Sequence, residues 1–369
     1  MKKRLDSLQA LKALACLIVF ANHAGIPCAG TYTMCIFFMV SGLTMVYGYL
    51  DRPDRLPSGF VGTLRFAAKK VLKLYPLYIL CMLPVMALDL LDVYRAPSAE
   101  ALLFFAKKLV ASLFLVQSWV PDSRYAMAFN GVAWFLSTTM FLYFCFPFIL
   151  RLVKKCRGSG GALIWVLALV VGQFALGFAA GPIERFLLRH SLIIADGKFA
   201  YWFTYIFPPM RVIDFAIGCF VGLIFLEHRE RELSPRAAAA LDIVTVLAWV
   251  PPVYIYWCTD SFLTGEAFRY TQLFMPASIL TVYAYARGLG PVVRLLTNRA
   301  TLFISSISSD FFLLHQNIIR FSILFLSMAA VPFSAIRVIV PVACFVLTVI
   351  ACLIWARLEG FVKARLKRG

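Results

Sequence analysis

RLDSLQALKALACLIVFANHAG, residues 4–25, decides how this chain is read. From Leu11 to Ala21 only Lys12 interrupts an apolar run. Such a run suits hydrocarbon, because ~20 helical residues rising ~1.5 Å each cross a ~30 Å bilayer core. Lys12 and His23 are then ionisable groups inside a lipid-spanning helix, where they are expensive and by default functional. Lys12 alone could snorkel to the interface, and His23 alone could be a hydrogen-bonded interface residue. Eleven residues apart, they stand roughly 16 Å apart along one axis. That spacing suggests a site running across the bilayer.

Working outward, similar apolar runs recur to the end of the chain. The 369 residues are 62% hydrophobic and 15% charged, with a mean hydropathy of +0.84, more apolar surface than a soluble domain can hide. The sequence therefore predicts an all-α polytopic membrane protein, a single integral-membrane domain over residues 1–369 with no appended soluble domain. About ten transmembrane helices are expected, at 7–25, 32–50, 71–91, 131–150, 162–182, 203–226, 238–257, 268–287, 301–327 and 335–356. MKKR followed by an apolar stretch looks like a signal peptide, but Lys12 interrupts it and a second span follows at once, so it reads as a retained first helix.

One further apolar segment, 100–119, carries Lys107 and Lys108 in its middle. The basic clusters settle its reading. Lys2, Lys3 and Arg4, then Arg52 to Lys70, Arg151 to Arg157, Arg229 to Arg236, Arg287 to Arg299 and Arg357 to Arg368 all fall on one side only if 100–119 does not cross. It is expected to be an interfacial or re-entrant helix on the outer face, with both termini cytoplasmic and the chain in a bacterial plasma membrane. The longest loop is expected at 183–202, on the outer side.

The net charge of +18 does not point to nucleic acid, since the basic residues form no long tract and do not alternate with exposed aromatics. Membrane lipid headgroups, or an anionic ligand at the cytoplasmic face, suit it better. Ten cysteines are scattered, mostly in apolar runs, without CxxC or metal spacing, so no metal is expected. Cys28 and Cys35 flank one short loop and could form a disulfide.

Three constellations could carry chemistry. The first is Lys12 with His23. The second is FAAKKVLKLYPLY, 66–78, where Lys70 and Lys73 lie three apart on one helix face, at the depth of Lys12. Three cations there suit a polyphosphate, though positive-inside anchoring also explains Lys69 and Lys70. The third is polarity elsewhere in the membrane: Arg211 and Asp214 at i,i+3, and Asp310, His315, Gln316, Asn317 and Arg320 in the ninth span. These could bind an acceptor, relay protons or lock helices together. His190 and His228 are expected in solvated loops. No repeat of the transporter kind is evident.

Several stretches, taken in order, resemble the membrane acyltransferase-3 family. RLDSLQALKALA with His23, FFMVSGLTMVYGY at 37–49, KKVLKLYPLY at 69–78, NGVAWFLSTTMFLYFCFP at 130–147, PPMRVIDFAIGCFVG at 208–222 and SSISSDFFLLHQNIIRF at 305–321 carry the resemblance across nearly the whole chain. It implies about ten helices and transfer of an acyl group, usually acetyl, from cytosolic acyl-CoA to a hydroxyl of an extracytoplasmic carbohydrate of the cell envelope. Acyl-CoA is then a donor substrate rather than a tightly bound cofactor. The family's catalytic first-helix histidine falls on His23. Its first-helix arginine falls on Lys12 and its Arg-x-x-Arg pair on Lys70 and Lys73, which would bind acyl-CoA as point charges without the bidentate fork. Where some members carry a glutamate, this chain has Thr139. Asn22, Ser41, Arg211, Asp214 and His315 are further candidates for the acceptor site or for orienting the base. The rival reading is a polysaccharide or lipid-linked sugar transporter without chemistry. The acceptor, the acyl group and the oligomeric state are not legible in the sequence.

Overall fold

A computed structural model of the chain describes residues 5–28, 30–193 and 197–366. Lys2, Lys3, Arg4, Lys367 and Arg368 of the terminal basic clusters lie outside the described residues. Secondary structure among the described residues is helical: α1 Asp6–His23, α2 Thr33–Tyr49, α3 Gly59–Val71, α4 Tyr75–Arg95, α5 Ala99–Leu113, α6 Trp134–Lys155, α7 Gly158–Arg189, α8 Pro208–His228, α9 Pro235–Leu247, α10 Val250–Cys258, α11 Met275–Arg287, α12 Arg299–Met328 and α13 Phe333–Leu366, joined by connections that include short helical segments such as Ser123–Ala126 and Pro291–Leu296. Among the described residues, seven helical stretches are long and apolar enough to cross a membrane, one of them Gly59–Arg95 and another Pro235–Cys258. The shorter apolar α2 stands beside them. α1 falls outside the seven because Asp6, Gln9, Lys12, Asn22 and His23 dilute its apolar run. The chain is a multi-pass membrane protein.

The segment 100–119 is a short helix followed by a turn into the interior. Ser98 caps α5 by accepting from the Ala101 N–H at 3.0 Å, and the helix ends after 15 residues, about 22 Å of rise. Lys108 is neutralised against α4 by Asp89 at 2.6 Å. The chain then turns at Leu115, whose φ is 54°, and sends Gln117 and Ser118 into the interior. Trp202 Nε1 donates to the Ser118 carbonyl at 3.0 Å.

Five expectations change. The span expected at 71–91 begins only at Tyr75, after a 3-10 turn at Leu72–Leu74 that breaks it from α3. The span at 268–287 is helical only from Met275, with Pro276 in its first turn; residues before it form turns around buried Thr271 and Gln272. The loop expected at 183–202 is much shorter, because α7 runs on to Arg189. Cys28 and Cys35 are not bridged: both are free thiols, Cys28 donating to the Ile18 carbonyl and Cys35 to the Tyr32 carbonyl. His228 is also not in a loop; it ends α8 and meets the Tyr283 hydroxyl at 3.0 Å.

The core is organised around α2 and α8, the most extensive helix pair. Gly42 on α2 faces the backbone of Phe215 and Cys219, while Gly218 and Gly222 on α8 face the backbone of Met39 and Leu43. This small-xxx-small spacing lets two helices approach closely in a membrane. A Cβ at Gly218 would run into the Met39 carbonyl, which is backbone and cannot rotate aside. Gly218→Ala is therefore expected to lower stability by about 1–3 kcal/mol, read as an earlier thermal unfolding midpoint in detergent. An unchanged midpoint would contradict the close crossing.

Candidate functional site

α1 threads the interior between α2 and α12, and Lys12 and His23 both face into the protein. They open on two separate cavities. The larger, about 320 Å³, is lined by Lys12, Lys70 and Lys73 with Ser41, Thr139 and Tyr143. The smaller, about 160 Å³, is lined by His23 and Asn22 with Trp134, Tyr201, Tyr205 and Gln316. Phe312 of α12 borders both.

The lysines reach one cavity from two elements. Lys70 lies in the last turn of α3 and Lys73 in the 3-10 turn that follows. The shared α-helical face expected for them is therefore interrupted. Both side chains nonetheless line the same cavity. Lys70 Nζ sits 5.0 Å from the Tyr49 ring and 5.4 Å from the Phe66 ring, contacts that favour a cation over an aromatic face. Ser41 bonds to the Tyr143 hydroxyl at 3.1 Å, in the lysine cavity rather than beside His23. The Thr139 hydroxyl is buried there without a hydrogen-bond partner.

At the other end of α1, His23 Nδ1 lies 2.8 Å from His315 Nε2. His315 is 1% exposed, and its Nδ1 lies 3.1 Å from the Phe311 carbonyl. A carbonyl only accepts, so His315 Nδ1 carries the proton. A neutral His315 then accepts at Nε2, and His23 must donate from Nδ1. The unprotonated nitrogen of a neutral His23 is thereby fixed as Nε2. The second histidine orients the first, as the remote nitrogen of an imidazole commonly does.

The turn after α1 closes when Asn22 Nδ2 donates to the Cys28 carbonyl at 2.7 Å. Gln316, next to His315, leaves its Oε1 buried without a partner. A Cβ at Gly131 would come within 2.7 Å of that oxygen, so the glycine of the NGVAWF stretch makes room for the amide. Asn130 Nδ2 ties the same stretch to the Leu313 carbonyl at 3.0 Å. Tyr201 and Tyr205 pack on Tyr270 at 4.8 and 5.5 Å. Burial and a hydrogen bond to Glu266 at 2.9 Å both raise the pKa of the Tyr270 hydroxyl, which stays protonated.

Arg211 and Asp214 line neither cavity. Both are fully buried and paired at 2.7 Å. The guanidinium also meets the Thr204 carbonyl, released by the π-turn at Trp202–Ile206, and Gln173 of α7 bridges the pair once its amide is turned. Among the described residues, no group of three or more His, Cys, Asp or Glu side chains is arranged to hold a metal ion.

Of the residues singled out from the sequence, the structure brings Lys12, Lys70, Lys73 and Ser41 to one cavity and His23 and Asn22 to another. His315 stands behind His23. Sequence reading missed Trp134, Tyr201, Tyr205 and Phe312, which look like ordinary apolar-span aromatics. It noted Gln316 only for being polar in the membrane.

The acyltransferase-3 family model, described as an acyltransferase domain, matches residues 5–357. Acyltransferase MdmB of Streptomyces mycarofaciens is 26% identical over 248 residues, covering 60% of this chain and 57% of that protein. The matched region is thus little more than half of that relative's length. No solved structure matches.

Proposed function

The chain belongs to the acyltransferase-3 family of membrane acyltransferases, and within it we propose an O-acyltransferase that moves an acyl group, in the first instance acetyl, from cytosolic acyl-CoA to a hydroxyl of an extracytoplasmic carbohydrate. In this reading the membrane domain has ten crossings, with α5 re-entrant. Both termini and the lysine cavity are cytoplasmic, and the histidine cavity faces outward. The observation that carries the proposal is one helix with a cation cluster at one end and a histidine, aligned by a second buried histidine, at the other.

Acyl-CoA docks with its phosphates on Lys12, Lys70 and Lys73, each a compact charge with three donors. Its pantetheine arm extends along α1 toward His23. The ~16 Å rise between Lys12 and His23 is a span such an arm can cover. His23 Nε2 takes the proton from the acceptor hydroxyl as that oxygen attacks the thioester carbonyl. The C–S bond then breaks, the ester forms, and the CoA thiolate leaves, taking up the proton held by His23. In the two-step variant His23 Nε2 attacks the thioester carbonyl and expels CoA thiolate; the acceptor oxygen then attacks the acyl-imidazolium, its proton passing to the thiolate as the imidazole leaves. In this reading Asn22 and the open Gln316 oxygen bind neighbouring hydroxyls of the acceptor, and Trp134, Tyr201 and Tyr205 wall its pocket.

Purified protein in liposomes, given radiolabelled acetyl-CoA and an envelope polysaccharide extract, should move label into ester linkage. Lys73→Ala should raise the acyl-CoA concentration for half-maximal rate by about tenfold, the loss of one charge-assisted phosphate contact. Lys→Arg at Lys12, Lys70 and Lys73 should preserve turnover. Carbohydrate movement without acyl-CoA consumption would overturn the enzyme reading in favour of a transporter.

A further inference from the structure

The lysine and histidine cavities do not merge, although the chemistry proposed above needs the thioester to pass from one to the other. What stands between them is aromatic. Phe37 of α2, Phe135 of α6 and Phe312 of α12 meet with ring centroids 6.0, 6.4 and 5.2 Å apart. Phe37 and Phe135 border only the lysine cavity, whereas Phe312 borders both. Phe312 is also three residues before His315 on the same helix, with ring centroids 5.8 Å apart. The barrier is thus in contact with the residue that aligns His23.

We propose that Phe312 is the gate between the donor and acceptor cavities. At rest its ring closes the passage on Phe37 and Phe135, and keeps water on the histidine side from the thioester. It must rotate toward free space to admit the acyl group, so the opening it leaves limits the size of the acyl chain that passes. The three rings are apolar on all sides, so the closed state makes no hydrogen bond that opening would have to break. Aromatic pairs accept both offset-stacked and edge-to-face arrangements, so the contact can be remade in more than one ring orientation. The inference rests on the acyl-transfer reading for what passes through the gate, but not for the gate's existence.

Two measurements test it separately. Ser41→Cys puts a thiol in the lysine cavity, and Cys28, beyond the end of α1, marks the histidine side. In sealed vesicles, a charged membrane-impermeant methanethiosulfonate is added on the side where Cys28 reacts, and modification at residue 41 is read by peptide mass. Ser41→Cys alone should stay unmodified from that side. Adding Phe312→Ala should raise its modification at least tenfold.

The second measurement is acyl-CoA turnover without acceptor, where water adds to the thioester carbonyl and the C–S bond breaks to give the acid and CoA thiol. Phe312→Ala should raise this hydrolysis at least tenfold and shift acyl preference toward butyryl over acetyl. Phe312→Trp keeps the core filled, and so serves if the alanine variant fails to accumulate. It should cut transfer at least tenfold while leaving the Kd for CoA unchanged. Residue 41 staying closed in the Phe312→Ala protein, or Phe312→Trp transferring at the wild-type rate, overturns the gate. If residue 41 opens but no form of the protein consumes acyl-CoA, the gate stands and the acyl-transfer reading falls.

Discussion

His23→Ala is expected to reduce acyl transfer to background while the protein remains folded and inserted. His23 is the last residue of α1 and only half-buried, so its removal opens no large core cavity. Losing a positioned general base lowers rates by about 10²–10⁴-fold, and losing a nucleophile abolishes a covalent route altogether. His23→Gln separates chemistry from architecture, because its amide can still donate toward His315 Nε2 but cannot hold a proton in transit. It should be as inactive as the alanine variant and as stable as wild type. His315→Gln should lower kcat more than KM, since His315 is a positioning residue that orients the base without touching substrate. Transfer by His23→Ala at wild-type rates, with monodisperse protein, would remove His23 from the mechanism.

The second large effect concerns stability. Arg211→Met should destabilise the fold by about 3–5 kcal/mol, because it leaves the Asp214 carboxylate buried without its cation. Both side chains are 0% exposed. The Arg211→Met/Asp214→Leu double variant should recover most of that loss, because apolar residues of similar volume often replace a buried pair without penalty. Thermal unfolding of the two variants in detergent measures this. Neither residue lines a cavity, so the double variant is also expected to keep transfer activity. A stable but inactive double variant would return the pair to the acceptor site.

Local features were legible in the sequence. Apolar runs gave the helices, and Lys12 and His23 could be placed because they share one helix of fixed rise. The lysines within 100–119 set that segment apart from the longer apolar runs, and a 15-residue helix followed by a turn into the interior stands there. Boundaries failed where apolarity outlasts helicity. Residues 268–274 read like the span that follows, yet they form turns ahead of Pro276. The α3–α4 break was hidden because Leu72 and Leu74 are good helix formers.

What could not be read was contact across the chain. His23 and His315 are separated by 292 residues, and composition gives no sign that they meet. Phe312 is one of 34 phenylalanines, and only its position between two empty volumes distinguishes it. Arg211 and Asp214 show the converse. Their i,i+3 spacing announced an ion pair, but it could not say whether the pair faces a cavity or α7.

The glycine seam between α2 and α8 also bears on how the protein can move. Where two backbones touch directly, no layer of side chains lies between them to change rotamer, and sliding would drive Gly42 and Gly218 into carbonyl groups. That pair acts as a stator. Any shape change during a turnover has to be taken up elsewhere, along α1 and α12, which meet through side chains such as Phe20 against Phe311 and His23 against His315. The wall that carries Phe37 and Ser41 is thus built on direct backbone contact, and the wall that carries Phe312 on contacts between side chains.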